Sequence, residues 1–282
     1  MAVVGWCKSG AVVLLLLMQA CAMPPAGVDQ TERHSPTPAD AFALFPAVHQ
    51  LGVKPDRLAA AKTADVANAA KTAKTAKTVV WQHHPFPGKQ PTHYSYARVD
   101  EKHTVMANAS SSASMLRQSL RVEPAELQDI VFSWKVKQLV PGADLARREA
   151  HDSPVRVVLA FDGDRSEFSA KNAMLSELAL ALTGEPLPYA TLMYVWCNEC
   201  AKETLYTSPR TDRIREIVLE TGPERLGQWL NYQRDIRADY VTAYGQAPGA
   251  LVGVGIMTDT DNTRQSAVAW YGPISLITPS TK

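Results

Sequence analysis

The chain has 282 residues, 46% of them hydrophobic, with 29 Lys+Arg against 28 Asp+Glu and a net charge of +1. That balance excludes a disordered polyelectrolyte and a multi-pass membrane protein, and it leaves no positive excess to neutralise nucleic-acid phosphates, so no nucleic-acid partner is expected. The length suits one large domain or two small ones.

Lys8 is the only charged side chain before Asp29, and the apolar run at 11–18 follows it. A membrane span needs about 20 apolar residues. A short run behind a basic residue reads instead as a secretory signal over 1–20. It ends in Leu17-Met18-Gln19-Ala20-Cys21, which resembles the lipobox of bacterial lipoproteins, with Met18 where leucine is commonest. The resemblance implies lipidation of Cys21. Ala22, rather than aspartate, as the next residue implies the periplasmic face of the outer membrane. The alternative is an ordinary signal cut near the same place, releasing the chain into the periplasm.

Residues 21–78 read as a linker. Pro24, Pro25, Pro36 and Pro38 are followed by an Ala-Lys-Thr tract recurring at 61–63, 70–72, 73–75 and 76–78. A three-residue period matches neither a helix nor a strand face, so the tract is a low-complexity spacer. A weakly apolar island at 42–53 interrupts it, and its docking is left open.

From Val79 to the end the texture is that of a single, mainly β domain. Ile130, Phe132, Trp134 and Val136 alternate with Val131, Ser133, Lys135 and Lys137. Val155, Val157, Leu159 and Phe161 repeat the pattern. Period two gives each strand one apolar face. Further strands are predicted at 92–99, 102–107, 113–122, 191–196, 214–220, 251–258 and 267–277. Helices are predicted at 166–182, with Phe168, Leu175, Leu178, Ala179 and Leu182 on one face, and at 226–244. Gly184 and Gly245 stop them. Strands and helices do not alternate, so the fold expected is a two-sheet β-sandwich of jelly-roll type with two inserted helices.

Several stretches together carry a resemblance. They are 132–136 (Phe-Ser-Trp-Lys-Val), 141–144 (Pro-Gly-Ala-Asp), 155–158 (Val-Arg-Val-Val), 194–196 (Tyr-Val-Trp), 217–222 (Ile-Val-Leu-Glu-Thr-Gly), 257–263 (Met-Thr-Asp-Thr-Asp-Asn-Thr) and 269–272 (Ala-Trp-Tyr-Gly). In this order and spacing they resemble a bacterial family known as domain of unknown function 3047. The resemblance implies a secreted or periplasmic protein, and its pattern is similar to galactose-binding-like sandwiches of carbohydrate-binding modules. It implies no activity.

Three groups of residues carry candidate chemistry. Cys197 and Cys200 supply two thiols where a structural zinc needs four ligands. In an oxidising compartment they are expected as a local disulfide, ahead of free thiols, metal or redox catalysis. Asp259, Asp261 and Asn262 offer alternating oxygens in a turn, which suits a structural calcium, though Asp and Asn also favour turns by bonding their own backbone. Otherwise no cofactor is indicated. Lys135, Arg156 and Arg215 lie mid-strand among apolar residues. A buried charge needs a partner, and Asp152, Glu216 and Asp259 are available, so an ion-pair network is expected. The sharper reading is a groove in which Lys135 and Arg156 bind an anionic or hydroxyl-rich ligand, with Tyr194 or Trp196 stacked on a sugar ring.

No nucleophile elbow, zinc-protease helix or phosphate loop is present. The function expected is therefore a non-catalytic, envelope-anchored module binding a glycan or other envelope component. An envelope glycan hydrolase or lyase, and a protein-binding structural lipoprotein, are the alternatives.

Overall fold

The computed structural model describes residues 47–53 and 81–279. The expected signal, Cys21 and most of the linker lie outside the described residues. In chain order the elements are β1 (His49–Val53), β2 (Gln82–Pro85), β3 (His93–Val99), β4 (Lys102–Ser110), β5 (Ser114–Val122), β6 (Asp129–Val136), β7 (Ser153–Phe161) and α1 (Ala170–Thr183). Then follow β8 (Ala190–Cys197), β9 (Leu205–Thr207), β10 (Ile214–Thr221), β11 (Leu230–Asp235), α2 (Ile236–Tyr244), β12 (Leu251–Asp259), β13 (Ser266–Tyr271) and β14 (Ser275–Pro279).

They form two seven-stranded sheets. The first runs β1-β14-β6-β13-β4-β3, with β11 also paired to β6. The second runs β2-β5-β12-β7-β8-β10-β9. Pairing is antiparallel except for β1 with β14 and β8 with β10. This is the expected two-sheet sandwich of jelly-roll type, and its core lies between the sheets. Phe132, Trp134 and Val136 of β6 meet Val155, Val157, Leu159 and Phe161 of β7, together with Leu192, Tyr194 and Trp196 of β8. Period-two alternation thus places every other residue of β6 and β7 inside.

The outer face of the second sheet is also covered. Leu145, from the segment between β6 and β7, packs on Val195, Cys197 and Val218. β8 is therefore buried on both faces, which is why both of its residue parities are apolar. Cys197 and Cys200 form a disulfide at the end of β8.

Besides β2 and β9, which the sequence pattern does not predict, the structure departs from the predicted elements in four places. The strand predicted at 267–277 is two, β13 and β14, separated by Gly272-Pro273-Ile274, where Pro273 has no N–H for the ladder. The helix predicted at 226–244 holds only over its second half. Residues 230–235 pair with β6 instead, and the Asp235 side chain caps α2 by accepting from Ala238 N at 3.0 Å. α1 is shifted towards the C-terminus. It is capped by Ser169 and stopped by Gly184 in the left-handed region, and it turns Asn172 and Ser176 inward rather than its leucines. The cause is polar: Asn172 donates to Asp212 at 2.7 Å and accepts from Thr211 at 2.7 Å. Finally, the apolar island contributes β1, in parallel register with β14.

Candidate functional site

Arg156 is central to β7 and only 1% exposed. Alternation turns it to the outer face of the second sheet, under the segment that carries Leu145. Its Nε donates to Asp259 Oδ1 at 2.9 Å and its Nη1 to Glu216 Oε1 at 2.5 Å. Nη2 donates to the His151 carbonyl at 3.1 Å and to Asp259 Oδ2 at 3.4 Å. His151 Nε2 lies 3.1 Å from Glu216 Oε2, within donating distance. Burial pushes the Glu216 carboxyl up, but Arg156 and His151 outweigh it and hold the group below its ordinary value. Asp259 goes the other way. Burial raises it to about 6; Arg156 opposes this, and the Asp152 carboxylate adds to it. Four carboxylates (Asp152, Glu216, Asp259, Asp261) face two cations in direct contact (Arg156, Lys89). One acid retaining its proton towards neutrality relieves that excess.

The sign of the resulting pH dependence is definite. Folded Asp259 keeps its proton to about pH 6, while the unfolded group releases it near 3.8. Between those values the folded state binds more protons, so this group's contribution to stability falls as pH rises, by about 3 kcal/mol in all. Asp259→Asn keeps an acceptor for Ser153 N and Arg156 Nε. The variant is expected to lack this fall when urea midpoints are compared with wild type between pH 4 and 7. Parallel curves would show that Asp259 titrates normally.

The same cluster tests the calcium expectation. Oxygens of Asp152, Asp259 and Asp261 lie within 4.8 Å of one another, so the structure brings two of the expected ligands together and adds Asp152. They are already engaged. Asp152 accepts from Asn262 N and Nδ2 and from Thr263 N and Oγ1. Asp261 is paired with Lys89, and Asp259 with Arg156. Asn262 presents an amide nitrogen to Asp152, not an oxygen to a shared centre. Calcium wants six to eight oxygens. As arranged, these residues fit an ion-pair network with N–H donors rather than a cation. Beside them a depression of about 400 Å³ is lined by Lys89, Arg148, Glu149, Arg210 and Asn262, without an aromatic wall.

The groove expected from Lys135, Arg156, Tyr194 and Trp196 does not form. Lys135 and Arg156 stand on outer faces of different sheets, on opposite sides of the sandwich. Tyr194 and Trp196 have no exposed surface. The Tyr194 ring stacks on Phe132 and its hydroxyl donates to Asp239 at 2.8 Å. Trp196 Nε1 donates to the Gly222 carbonyl at 3.1 Å. Both are core. Arg215 lies over the Tyr244 ring and donates to Thr207, on the opposite face of its sheet from Arg156.

Lys135 remains accessible, and its neighbours are informative. Across the outer face of the first sheet, Trp270 of β13 stands opposite Lys135 of β6 and opposite Met106 of β4. Trp229, one residue before β11, continues the β11–β6 register beside Lys135. The two half-buried tryptophans therefore flank a lysine two strand spacings apart, about 10 Å. The hairpin between β3 and β4 reaches over them. Asp100 Oδ2 accepts from Lys135 Nζ at 3.0 Å and from Trp229 Nε1 at 2.8 Å. Lys102 Nζ sits 4.7 Å from the Trp229 ring centre, and Lys135 Nζ 6.0 Å from that of Trp270. The hairpin turn is costly: Asp100 and Glu101 both have positive φ, at 49° and 63°, where Asn-Gly is the usual solution. The next row is kept low by Gly272, where a Cβ would collide with Ser133 Oγ. Trp229 was hidden from the sequence reading inside a predicted helix, and Trp270 among its apolar neighbours.

Chemically, this face offers two indole surfaces and a carboxylate–ammonium pair between them. Hydrogen bonds from Lys135 and Trp229 hold the Asp100 carboxyl below its ordinary value.

No curated protein matches the chain by sequence. Among solved structures, the chain is similar to the xyloglucanase domain of NopAA, a type three effector from Sinorhizobium fredii, in complex with cellobiose. The TM-score is 0.38 at 7% identity, covering 72% of this chain and 96% of that one. It is similar to the family 11 xylanase from Neocallimastix patriciarum, with TM-score 0.34, 9% identity, and 73% and 94% covered. It is also similar to the enzymatically active domain of tailspike protein 4 of bacteriophage CBA120, with TM-score 0.34, 8% identity and 70% of this chain covered; the match spans only 19% of that protein's length. At the level of sequence, the family model described as protein of unknown function (DUF3047) matches residues 79–275, most of the chain, and the chain belongs to that family.

Proposed function

We propose that this protein is a non-catalytic glycan-binding module, held in the bacterial envelope by a lipid on Cys21 and the linker that follows it. The observation that carries the binding half is the row Trp229–Lys135–Trp270 with Asp100 above it. Indole faces take the apolar face of a sugar ring, and a carboxylate beside an ammonium accepts from and donates to neighbouring hydroxyls. Glycoside hydrolysis needs two carboxyl groups flanking the scissile bond, one of them with a raised pKa. Asp100 is shifted in the wrong direction for that role, which favours binding over cleavage.

The test is a thermal melt of the purified protein against linear oligosaccharides, neutral and acidic. At 100 times its dissociation constant a ligand stabilises by about 2.7 kcal/mol, a shift of about 5–10 °C for a domain of this size. No shift across the panel, or release of shorter products on incubation, would overturn the reading. The anchor is tested separately: acyl label should enter the wild-type chain in cells and be absent from Cys21→Ser.

A further inference from the structure

Four connections between strands converge beside the acid cluster. Lys89 comes from the turn between β2 and β3, Arg148 from the segment between β6 and β7, Arg210 from the turn between β9 and β10, and Asn262 from the turn between β12 and β13. With Glu149 they line the depression of about 400 Å³. Loops set on a rigid scaffold are where binding residues concentrate. The backing of this depression is fixed. Asn262 Nδ2 donates to the His151 carbonyl at 3.2 Å and to Asp152 Oδ1 at 3.0 Å, which leaves Asn262 Oδ1 to accept from Arg210 Nη2 at 3.3 Å. Lys89 is held by Asp261. Glu149 is the one acid in the lining, and its Oε1 accepts from Arg147 Nη2 at 2.6 Å and Nε at 2.8 Å. Arg148 and Arg210 differ from these. Among the described residues neither touches a carboxylate, and the Arg148 guanidinium has no hydrogen-bond partner.

We infer that this depression binds the phosphate monoester of a small hydroxylated molecule, a sugar phosphate, with Arg148 and Arg210 as its main contacts and Lys89 as a third donor. Charge selects the phosphate. Two guanidinia without a carboxylate match a monoester, which carries about −1.5 to −2 at pH 7. A carboxylate would leave one of them unmatched. Guanidinium forks also present parallel N–H donors to phosphate oxygens, and Asp261 takes only part of the donor capacity of the Lys89 ammonium. Size and lining select the rest of the ligand. The volume falls within the range of small-molecule sites, about 300–1,000 Å³, and leaves room beyond a phosphate group. No apolar or aromatic side chain lines it, so the esterified part is polar. The acids beside the depression do not account for the two arginines. Asp152 is satisfied by Asn262 and Thr263, Asp259 by Arg156 and Asp261 by Lys89. The site is separate from the tryptophan row, because the acid cluster beside it lies on the outer face of the second sheet and the tryptophans on that of the first.

The experiment is a thermal melt of the full chain carrying Cys21→Ser, titrated at pH 7.5 with glucose 6-phosphate, and in parallel with glucose, inorganic phosphate and potassium chloride at matched ionic strength. Glucose 6-phosphate should raise the melting temperature at lower concentration than inorganic phosphate, and glucose and chloride should not raise it. Arg148→Gln and Arg210→Gln should each weaken the effect about tenfold or more, and the double variant should lose it. Both side chains are exposed, so the melting temperature without ligand should stay that of wild type. Arg237→Gln, which removes the same charge from an exposed position elsewhere, and Trp270→Ala should respond to glucose 6-phosphate as wild type does. A phosphorylated oligosaccharide that competes with glucose 6-phosphate assigns the site to the phosphate of a glycan, and one that does not assigns it to a free sugar phosphate; both are the proposed chemistry. No shift with glucose 6-phosphate overturns the proposal, as does inorganic phosphate acting equally well, which would leave a simple anion site. So does a double variant that melts lower without ligand yet keeps the response, which would make the arginines counter-charges to the buried acids.

Discussion

Replacing Arg156 with leucine is expected to cost about 3–5 kcal/mol of folding free energy at pH 8, the largest effect of any single substitution proposed for this protein. The guanidinium is enclosed, and its removal leaves Glu216 and Asp259, 0% and 3% exposed, without their cation. Leucine fills only part of the space and donates none of the lost hydrogen bonds. The pH dependence separates charge from packing. Without Arg156 both acids are held above their unfolded pKa values, so the variant loses further stability as pH rises through those values and regains it on acidification. Urea midpoints at pH 5 and pH 8 should show a clearly smaller deficit at pH 5. An equal deficit at both would mean that lost packing, and not stranded charge, accounts for the loss.

Trp229→Ala and Trp270→Ala are each expected to weaken glycan binding ten- to a hundredfold, about 1–3 kcal/mol, with little change in melting temperature. Both rings are half-buried on an outer face, so truncation removes contact surface without opening the core. Their separation makes a second demand. Two stacking surfaces about 10 Å apart are not reached by one sugar ring. Wild type should therefore bind longer oligosaccharides more tightly than monosaccharides, and Trp229→Ala should erase that advantage. Lys135→Met keeps the aliphatic stem against Trp270 and removes the ammonium, so its loss reports the polar contact alone. Calorimetric titration with an oligosaccharide found in the melt supplies all three comparisons. Binding unaltered in the tryptophan variants would move the ligand elsewhere.

The alternation in β6 and β7 is plain in the sequence because one face of each strand is apolar over its whole length. The pairing of Arg156 with acids was equally accessible, since a charge between Val155 and Val157 has no other tolerable state. Which sheet each strand joins was not accessible. Lys135 and Arg156 occupy equivalent places in similar strands yet face opposite sides of the molecule, because sheet membership depends on pairings distant in sequence. Tyr194 and Trp196 carry a sign of their burial: their neighbours Met193, Val195 and Cys197 are apolar too, which marks a strand covered on both faces. β11 offered another. Leu230 and Tyr232 alternate with Asn231 and Gln233 in period two, but the run follows Leu226 and Trp229 at helical spacing, and the longer pattern dominated. In α1 the apolar period was correct and its direction was not, because Asp212 and Thr211, which draw Asn172 inward, come from a loop nearly 40 residues away.

The position of β6 has a consequence for the order in which this chain folds. Among the described residues, 129–136 pair only with β11, β13 and β14, all of which lie beyond position 229. No described residue synthesised earlier satisfies either edge of that strand, although its phenylalanine and tryptophan anchor the core. Such long-range closure makes for slow folding. It also means that a nascent chain cannot commit β6 to its native sheet until the C-terminal segment arrives. A topology completed by its last strands keeps the chain open until synthesis is nearly finished, and it leaves β6 as the segment most in need of protection until then.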